Sequence, residues 1–361
     1  MTREASLRSS ARRDPSTGLW TGAAGASARL GTVERVTDRD ADEGWLPRRL
    51  RAAAFTTATA RDAGVPGWRL RQPHLVRPTR SIRAAVPLTT PVERAQAFSL
   101  ALPDDAAFSH VTAAQLWGLS LPRALEAQEL LDVTRPSART RVRRTGCLPH
   151  RGLERRSLAA VRRCKVTGLA DTWVDLGECL DRGLGLDDLI VIGDQAATRL
   201  AGRPEPGGAV DHEARTRGIV ALERALTARV RPRGKGLLTE ALSWVRAPVR
   251  SPMETRTRLM FVRAGFPEPV VNLDVFGPGG WLLEGDLVWR ERRVIAEYQG
   301  ADHGSMRRRS HDATRALLAG DEGWRVIEVF AEDVYQRPRR VACLRRFAQA
   351  LGVDPARLHI T

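Results

Sequence analysis

The sequence predicts a C-terminal domain of the α/β (α+β) class, preceded by a winged-helix-like region and an α-helical region. Three observations predict it. Trp281-Leu-Leu-Glu-Gly-Asp286-Leu-Val-Trp-Arg290 and Arg293-Val-Ile-Ala-Glu297-Tyr-Gln299-Gly300 are strand-type runs joined by a turn short enough for a hairpin. Phe55-Thr-Thr-Ala-Thr-Ala60-Arg-Asp-Ala-Gly64-Val65, Pro66-Gly-Trp-Arg-Leu-Arg71 and Leu75-Val-Arg-Pro-Thr-Arg-Ser-Ile-Arg83 read as helix, glycine turn, second helical turn and basic wing. Between them, Val166 to Leu176 and Leu186 to Ile192 carry the spacing of amphipathic helices.

In chain order, residues 1–47 are rich in Ser, Gly, Ala, Arg and Asp without steady apolar periodicity, and they are expected to form a disordered tail. Residues 48–135 form the winged-helix-like, DNA-binding region, with Arg69, Arg71, Arg77 and Arg80 as its candidate nucleic-acid contacts. Residues 136–236 read as a helical connector, in which Asp171, Asp175 and Asp194 are expected at solvated helix surfaces. The breaker-rich Arg231-Pro-Arg-Gly-Lys-Gly236 marks the boundary before the last domain, 237–361. There Ser251-Pro252-Met253-Glu254 opens a helix, and Gly323-Trp-Arg-Val-Ile-Glu-Val-Phe330 is expected as a strand parallel to the one holding Glu297.

The net charge of +16 suggests a polyanionic partner. Its distribution says more than its total: residues 1–236 hold 39 Lys+Arg against 26 Asp+Glu, whereas residues 237–361 hold 19 against 16. Nucleic-acid affinity is therefore expected mainly ahead of the C-terminal domain. Cys147, Cys164, Cys179 and Cys343 make no CxxC pair and are read as reduced thiols. No apolar run is long enough to span a bilayer and the start is no signal peptide, so the expected location is cytoplasmic, with no membrane partner.

The acidic residues of the hairpin suggest a metal site. Side chains alternate along a strand, so Glu297 and Gln299 share a face about 6.6 Å apart, and Asp286 on the partner strand can join them. Converging carboxylates are unfavourable unless a cation neutralises them, and hard oxygen donors suit Mg²⁺ or Mn²⁺.

The stretch from about Leu237 to Gly352 resembles the PD-(D/E)XK nuclease superfamily, most closely small endonuclease domains similar to the very-short-patch mismatch repair enzyme. The matching residues are Ser251-Pro-Met-Glu254-Thr-Arg256, Gly285-Asp286-Leu287, Glu297-Tyr-Gln-Gly300, His303, Asp312, Arg315 and Gly323-Trp324. The resemblance implies a restriction-endonuclease-like αβββαβ core that hydrolyses phosphodiester bonds, with Glu254, Asp286 and Glu297 holding the metal. Gln299 stands where the superfamily usually has lysine, which keeps a hydrogen-bond donor but removes the charge. His303 is then a candidate to orient or deprotonate the attacking water. Arg307, Arg308 and Arg309 on the following helix are placed to meet a phosphate backbone.

The region around residues 55–83 also resembles the N-terminal module of AbiEi-type antitoxins, as does the helix within Ser109-His-Val-Thr-Ala-Ala-Gln-Leu-Trp117-Gly118-Leu. That similarity implies an alternative, a transcriptional regulator or antitoxin carrying an inactive nuclease fold. RNA stays open as a second substrate class. Plainer roles stay open as well: Glu254 as the N3 glutamate of a capping box, and Glu297 as one half of a surface ion pair.

Overall fold

The computed structural model describes residues 45–202, 212–300 and 319–360. The chain divides between Leu46 and Pro47, and the elements that follow lie in the unit from Pro47 onward. It is an α+β structure. Strand β1 (Phe55–Thr56) runs into a helix, Thr57–Asp62, capped by the Thr56 hydroxyl, which accepts from the Thr59 N–H at 2.9 Å. The helix ends before Gly64, whose φ of +82° favours glycine. The expected second helix is a single 3-10 turn, Arg69–Arg71, bracketed by Pro66 and Pro73. Strand β2 (Ile82–Arg83) then returns antiparallel to β1, pairing Phe55 with Arg83.

A five-stranded sheet follows, built from β3 (Ala107–Phe108), β4 (Leu131–Arg135), β5 (Cys147–Arg151), β6 (Leu158–Val161) and β7 (Cys164–Thr167) in the order β5-β4-β3-β7-β6. Three of these strands lie inside the span expected to be a helical connector, so that expectation is corrected. The physical reason is local: Cys-Leu-Pro-His-Arg has no two-residue alternation and contains a proline, and it is paired only because β4 offers a parallel edge from Leu131 to Arg135. Its neighbour β4 is fully buried from Leu131 through Thr134.

Beyond the sheet the chain is helical, as expected. Helices Leu169–Asp175, Leu186–Ala201, His212–Ala228 and Lys235–Trp244 enclose Trp173, Leu189, Ile190, Leu222 and Leu238. Trp173 is completely buried, and its indole N–H donates to the Leu189 carbonyl at 2.9 Å. Asp171, Asp175 and Asp194 are not solvated: their exposures are 8%, 1% and 0%. Burying a carboxylate demands partners, and each has them. Arg229 donates to both Asp171 and Asp175 at 3.0 Å, and Arg156 joins Asp175 at 2.8 Å. The Asp194 carboxylate accepts from the Arg246 N–H, the Thr255 hydroxyl and the guanidinium of the fully buried Arg258 at 2.7, 2.8 and 3.1 Å. These three aspartates tie elements together, which a single-helix periodicity cannot reveal.

The last part starts with the helix Pro252–Arg263, then β8 (Val270–Gly277), β9 (Gly280–Trp289), β10 (Val294–Gln299) and β11 (Arg325–Phe330), and closes with the helix Arg337–Leu351. The sheet order is β11-β10-β9-β8, with β10 and β11 parallel and the other pairs antiparallel. One face packs on Phe261, Trp289 and Phe347, whose ring centroids lie 4.5 to 5.7 Å apart. The other face carries Val275, Leu283, Val288 and Ile295. No helix among the described residues is long and apolar enough to cross a membrane.

Candidate functional site

The helix Pro252–Arg263 carries Glu254, and the adjacent strands β8, β9 and β10 carry Asn272, Asp286 and Glu297. Ser251 caps the helix Pro252–Arg263, its hydroxyl accepting from the Glu254 N–H at 3.2 Å. Glu254, only 5% exposed, turns its carboxylate elsewhere: Oε2 accepts from the Arg250 N–H at 3.0 Å and the Asn272 side-chain amide at 2.7 Å. Asn272, buried on β8 with a φ of +43°, departs from strand geometry to make that contact. The pairs Val271–Leu287 and Leu273–Gly285 flank Asn272 and Asp286, so these two stand opposite each other. On the other side, the β9–β10 ladder ends at Leu287–Ala296, one step before Asp286 and Glu297. Asp286 ends it by taking the Tyr298 N–H onto Oδ2 at 2.8 Å.

The electrostatics of Asp286 are those of an uncompensated anion. Burial, reinforced by the nearby Glu254 charge, pushes its pKa up to about 7, while the Tyr298 N–H and the Arg250 charge pull the other way. Burial also raises Glu284, against the pull of Arg250, with which it forms an ion pair. Asn272, Arg250 and Glu284 were not legible as site residues in the sequence. The one local signal, an asparagine within a strand, has no distinctive spacing.

The Asp286 shift has a sign that can be measured. Its folded pKa lies above the ordinary carboxylate value, so the native state binds the proton more tightly than the unfolded chain, and stability falls as pH rises from about 4 through 7. Asp286→Asn removes this dependence and keeps an oxygen for the Tyr298 N–H. In EDTA at pH 8 the variant is expected to exceed wild type by on the order of 2 to 4 kcal/mol, with the gap closing towards pH 5. Paired thermal melts across that range check it.

Gln299 is exposed at the end of β10, in register with Phe330. His303, Arg307, Arg308 and Arg309 lie outside the described residues, as do Asp312 and Arg315. Between Phe55 and Arg83, Arg71, Arg77 and Arg80 are exposed, and Arg69 lies over the Trp68 ring at 5.0 Å. Arg77 caps the 3-10 turn by donating to the Arg71 carbonyl. The four cysteines are free thiols.

Among the described residues, the histidine and acidic side chains whose ligand atoms all fall within 4.8 Å of one another are His110, His150 and Glu178 rather than the three hairpin-region carboxylates. This second cluster lies at the five-stranded sheet. Asp132 behind it is held at about 2: burial would raise it, but the His150 hydrogen bond and the Arg182 guanidinium outweigh that cost.

Two uncharacterized proteins of Mycobacterium tuberculosis, from two strains, are each 29% identical to this chain over 138 residues, which is 38% of this chain and 49% of the relative. The chain thus spans about half the length of the curated relatives it matches. No family model matches the chain, and no solved structure matches it.

Proposed function

We propose that residues 237–361 form a Mg²⁺-dependent DNA endonuclease of the PD-(D/E)XK type, with the winged-helix-like region supplying DNA affinity. The observation that carries this reading is that Asn272, which holds the Glu254 carboxylate, stands opposite Asp286 at the point where β9 and β10 part, where burial and the Glu254 charge push the Asp286 carboxyl up to about 7. The order of elements, a helix bearing Glu254, then β8, β9, β10 and later a parallel β11, supports it as well. An excess of negative charge on hard oxygen donors suits Mg²⁺ or Mn²⁺ rather than a softer ion.

Glu254, Asp286 and Glu297 are the residues that would hold the ion. When bound, it would lower the pKa of its water and neutralise charge building on the phosphorane. The chain's own contribution is orientation: Asn272 and the Arg250 N–H fix Glu254, and the Tyr298 N–H fixes Asp286. Gln299 can donate one hydrogen bond towards the phosphate without contributing charge. His303 is assigned the water-orienting role, and Arg307, Arg308 and Arg309 the phosphate contacts. Gln299 also favours a second reading, an AbiEi-like regulator or antitoxin with reduced or lost cleavage.

The deciding experiment incubates the purified chain with supercoiled plasmid, with and without Mg²⁺. Conversion to nicked or linear DNA only with the ion supports the enzyme, and equal background in both arms favours the regulator. Either reading requires DNA affinity from exposed arginines such as Arg71, Arg77 and Arg80. Binding of the full chain to a short duplex in EDTA is therefore expected to weaken steeply with salt, by about 0.9 log units per log unit of salt for each phosphate neutralised. A flat salt dependence in fluorescence anisotropy would leave that region a scaffold.

A further inference from the structure

His110 is an unusual first residue for a helix. It opens His110–Trp117 at a φ of +48°, in the left-handed region that a residue with a side chain enters at a cost, yet it is completely buried. Its Nδ1 lies 2.8 Å from the Ser109 hydroxyl, which in turn accepts from the Thr134 hydroxyl at 2.6 Å. Its Nε2 has no hydrogen-bond partner and stands 3.7 Å from Glu178 Oε2, beyond hydrogen-bond reach. Leaving a buried polar nitrogen unmatched costs about 1 to 3 kcal/mol. A strained backbone and an unmatched nitrogen at the same residue point to a function for that nitrogen.

His150, on β5, stacks against the same ring, with centroids 3.8 Å apart and planes 20° from parallel. Its Nε2 meets Asp132 Oδ1 at 2.8 Å. The ionised carboxylate can only accept, so Nε2 carries the proton and the Nδ1 lone pair is left unprotonated. Asp132 is itself held by Arg182 at 3.2 Å and by the Gln128 amide at 3.0 Å. In the tautomer that donates its Nδ1–H to Ser109, His110 too is held from behind by an oxygen, and each neutral imidazole then offers one bare nitrogen. That is the arrangement by which a second oxygen partner orients metal-ligating histidines.

We propose that His110 Nε2, His150 Nδ1 and Glu178 form a divalent metal site of the zinc class, with a further coordination position for water. Two imidazoles and one carboxylate are borderline donors that suit Zn²⁺ or Co²⁺ over Mg²⁺. Metal–ligand bonds of about 2.0 to 2.2 Å place tetrahedral ligand atoms roughly 3.3 Å apart, so the 3.7 Å between His110 and Glu178 needs little closure. His150 must turn out of its stack to aim Nδ1 at the ion. Its side chain is 22% exposed and that of Glu178 31%, which gives the ion a path from solvent. Capture would tie together β4, β5, the helix His110–Trp117 and the 3-10 segment Leu176–Arg182.

The test uses the full chain, stripped with EDTA and titrated with Co²⁺ and Zn²⁺ while visible absorption and heat are recorded. One Co²⁺ per chain with the intense visible bands of a four-coordinate site is expected, displaced by Zn²⁺ and unaffected by excess Mg²⁺. Glu178→Gln and His150→Gln should each weaken binding by at least about 100-fold, and Asp132→Asn by about 10- to 100-fold. Asp286→Asn should leave the cobalt spectrum unchanged, separating this site from the carboxylate site of the proposed nuclease. His110 is left intact because of its burial. Absence of the cobalt bands in wild type would overturn the proposal, as would either folded ligand variant binding Zn²⁺ as tightly as wild type.

Discussion

Asp286→Ala and Glu297→Ala are each expected to lower Mg²⁺-dependent nicking of supercoiled plasmid by more than about 10²-fold, whereas Gln299→Lys retains or raises it. The asymmetry follows from the proposed chemistry. A metal ligand is indispensable because the ion's position, and with it the activated water, depends on each carboxylate, while Gln299 adds only a hydrogen-bond donor to charge developing later. Asp286 also has a structural role. Its loss removes both a ligand and the acceptor for the Tyr298 N–H where β9 and β10 part. DNA affinity in EDTA should change little in either alanine variant, since the proposed binding draws on arginines elsewhere. If wild type, both alanine variants and Gln299→Lys give the same background on single-stranded, duplex and mismatched DNA, the endonuclease reading fails for those substrates. The regulator reading then takes precedence.

The contrast between the two sheets explains what could be read from the sequence. Strands β9 and β10 are legible because Leu283, Leu287, Trp289, Val294 and Ala296 supply apolar runs broken by acidic residues and separated by a short charged turn, and β11 because Val326, Ile327, Val329 and Phe330 make such a run around Glu328. Asp286 and Glu297 stand out because charge within such a run is unfavourable. The five-stranded sheet is illegible for the opposite reason. Its members β3, β6 and β7 have two to four residues, and β5 has the weak pattern Cys-Leu-Pro-His-Arg, so their identity is fixed by neighbours distant in sequence. The same holds for His110 and His150, which meet only because β5 pairs with β4 and the Ser109–His110 step turns sharply. Cross-element ion pairs hide in the same way: Asp194 reads as one polar residue on an amphipathic helix until Arg258 is placed against it.

That buried pair carries the largest expected change in stability. Asp194 and Arg258 are both fully buried, and Arg258 is also bonded to the Trp244 carbonyl at 2.8 Å and to Glu268 at 3.2 Å. Removing one member of such a pair leaves a buried charge poorly compensated, Asp194 with no cation at all and Arg258 with only the partly exposed Glu268, which typically costs about 3 to 5 kcal/mol. Asp194→Ala additionally strands the Arg246 N–H and the Thr255 hydroxyl. A fall in Tm of roughly 4 to 8 °C is expected for a chain of 361 residues. Replacing both residues with apolar ones, Asp194→Leu with Arg258→Met, should recover part of the loss, giving a coupling of about 0.5 to 3 kcal/mol in a double-mutant cycle. Additive losses in denaturant melts would mean that the two side chains do not act as a pair. The effect should also reach the proposed active site, because Arg258 shares its helix with Glu254 while Asp194 sits on the helix Leu186–Ala201. Loosening that contact frees the helix carrying Glu254, so Asp194→Ala should reduce nicking at temperatures well below its own Tm while duplex binding in EDTA stays near the wild-type value.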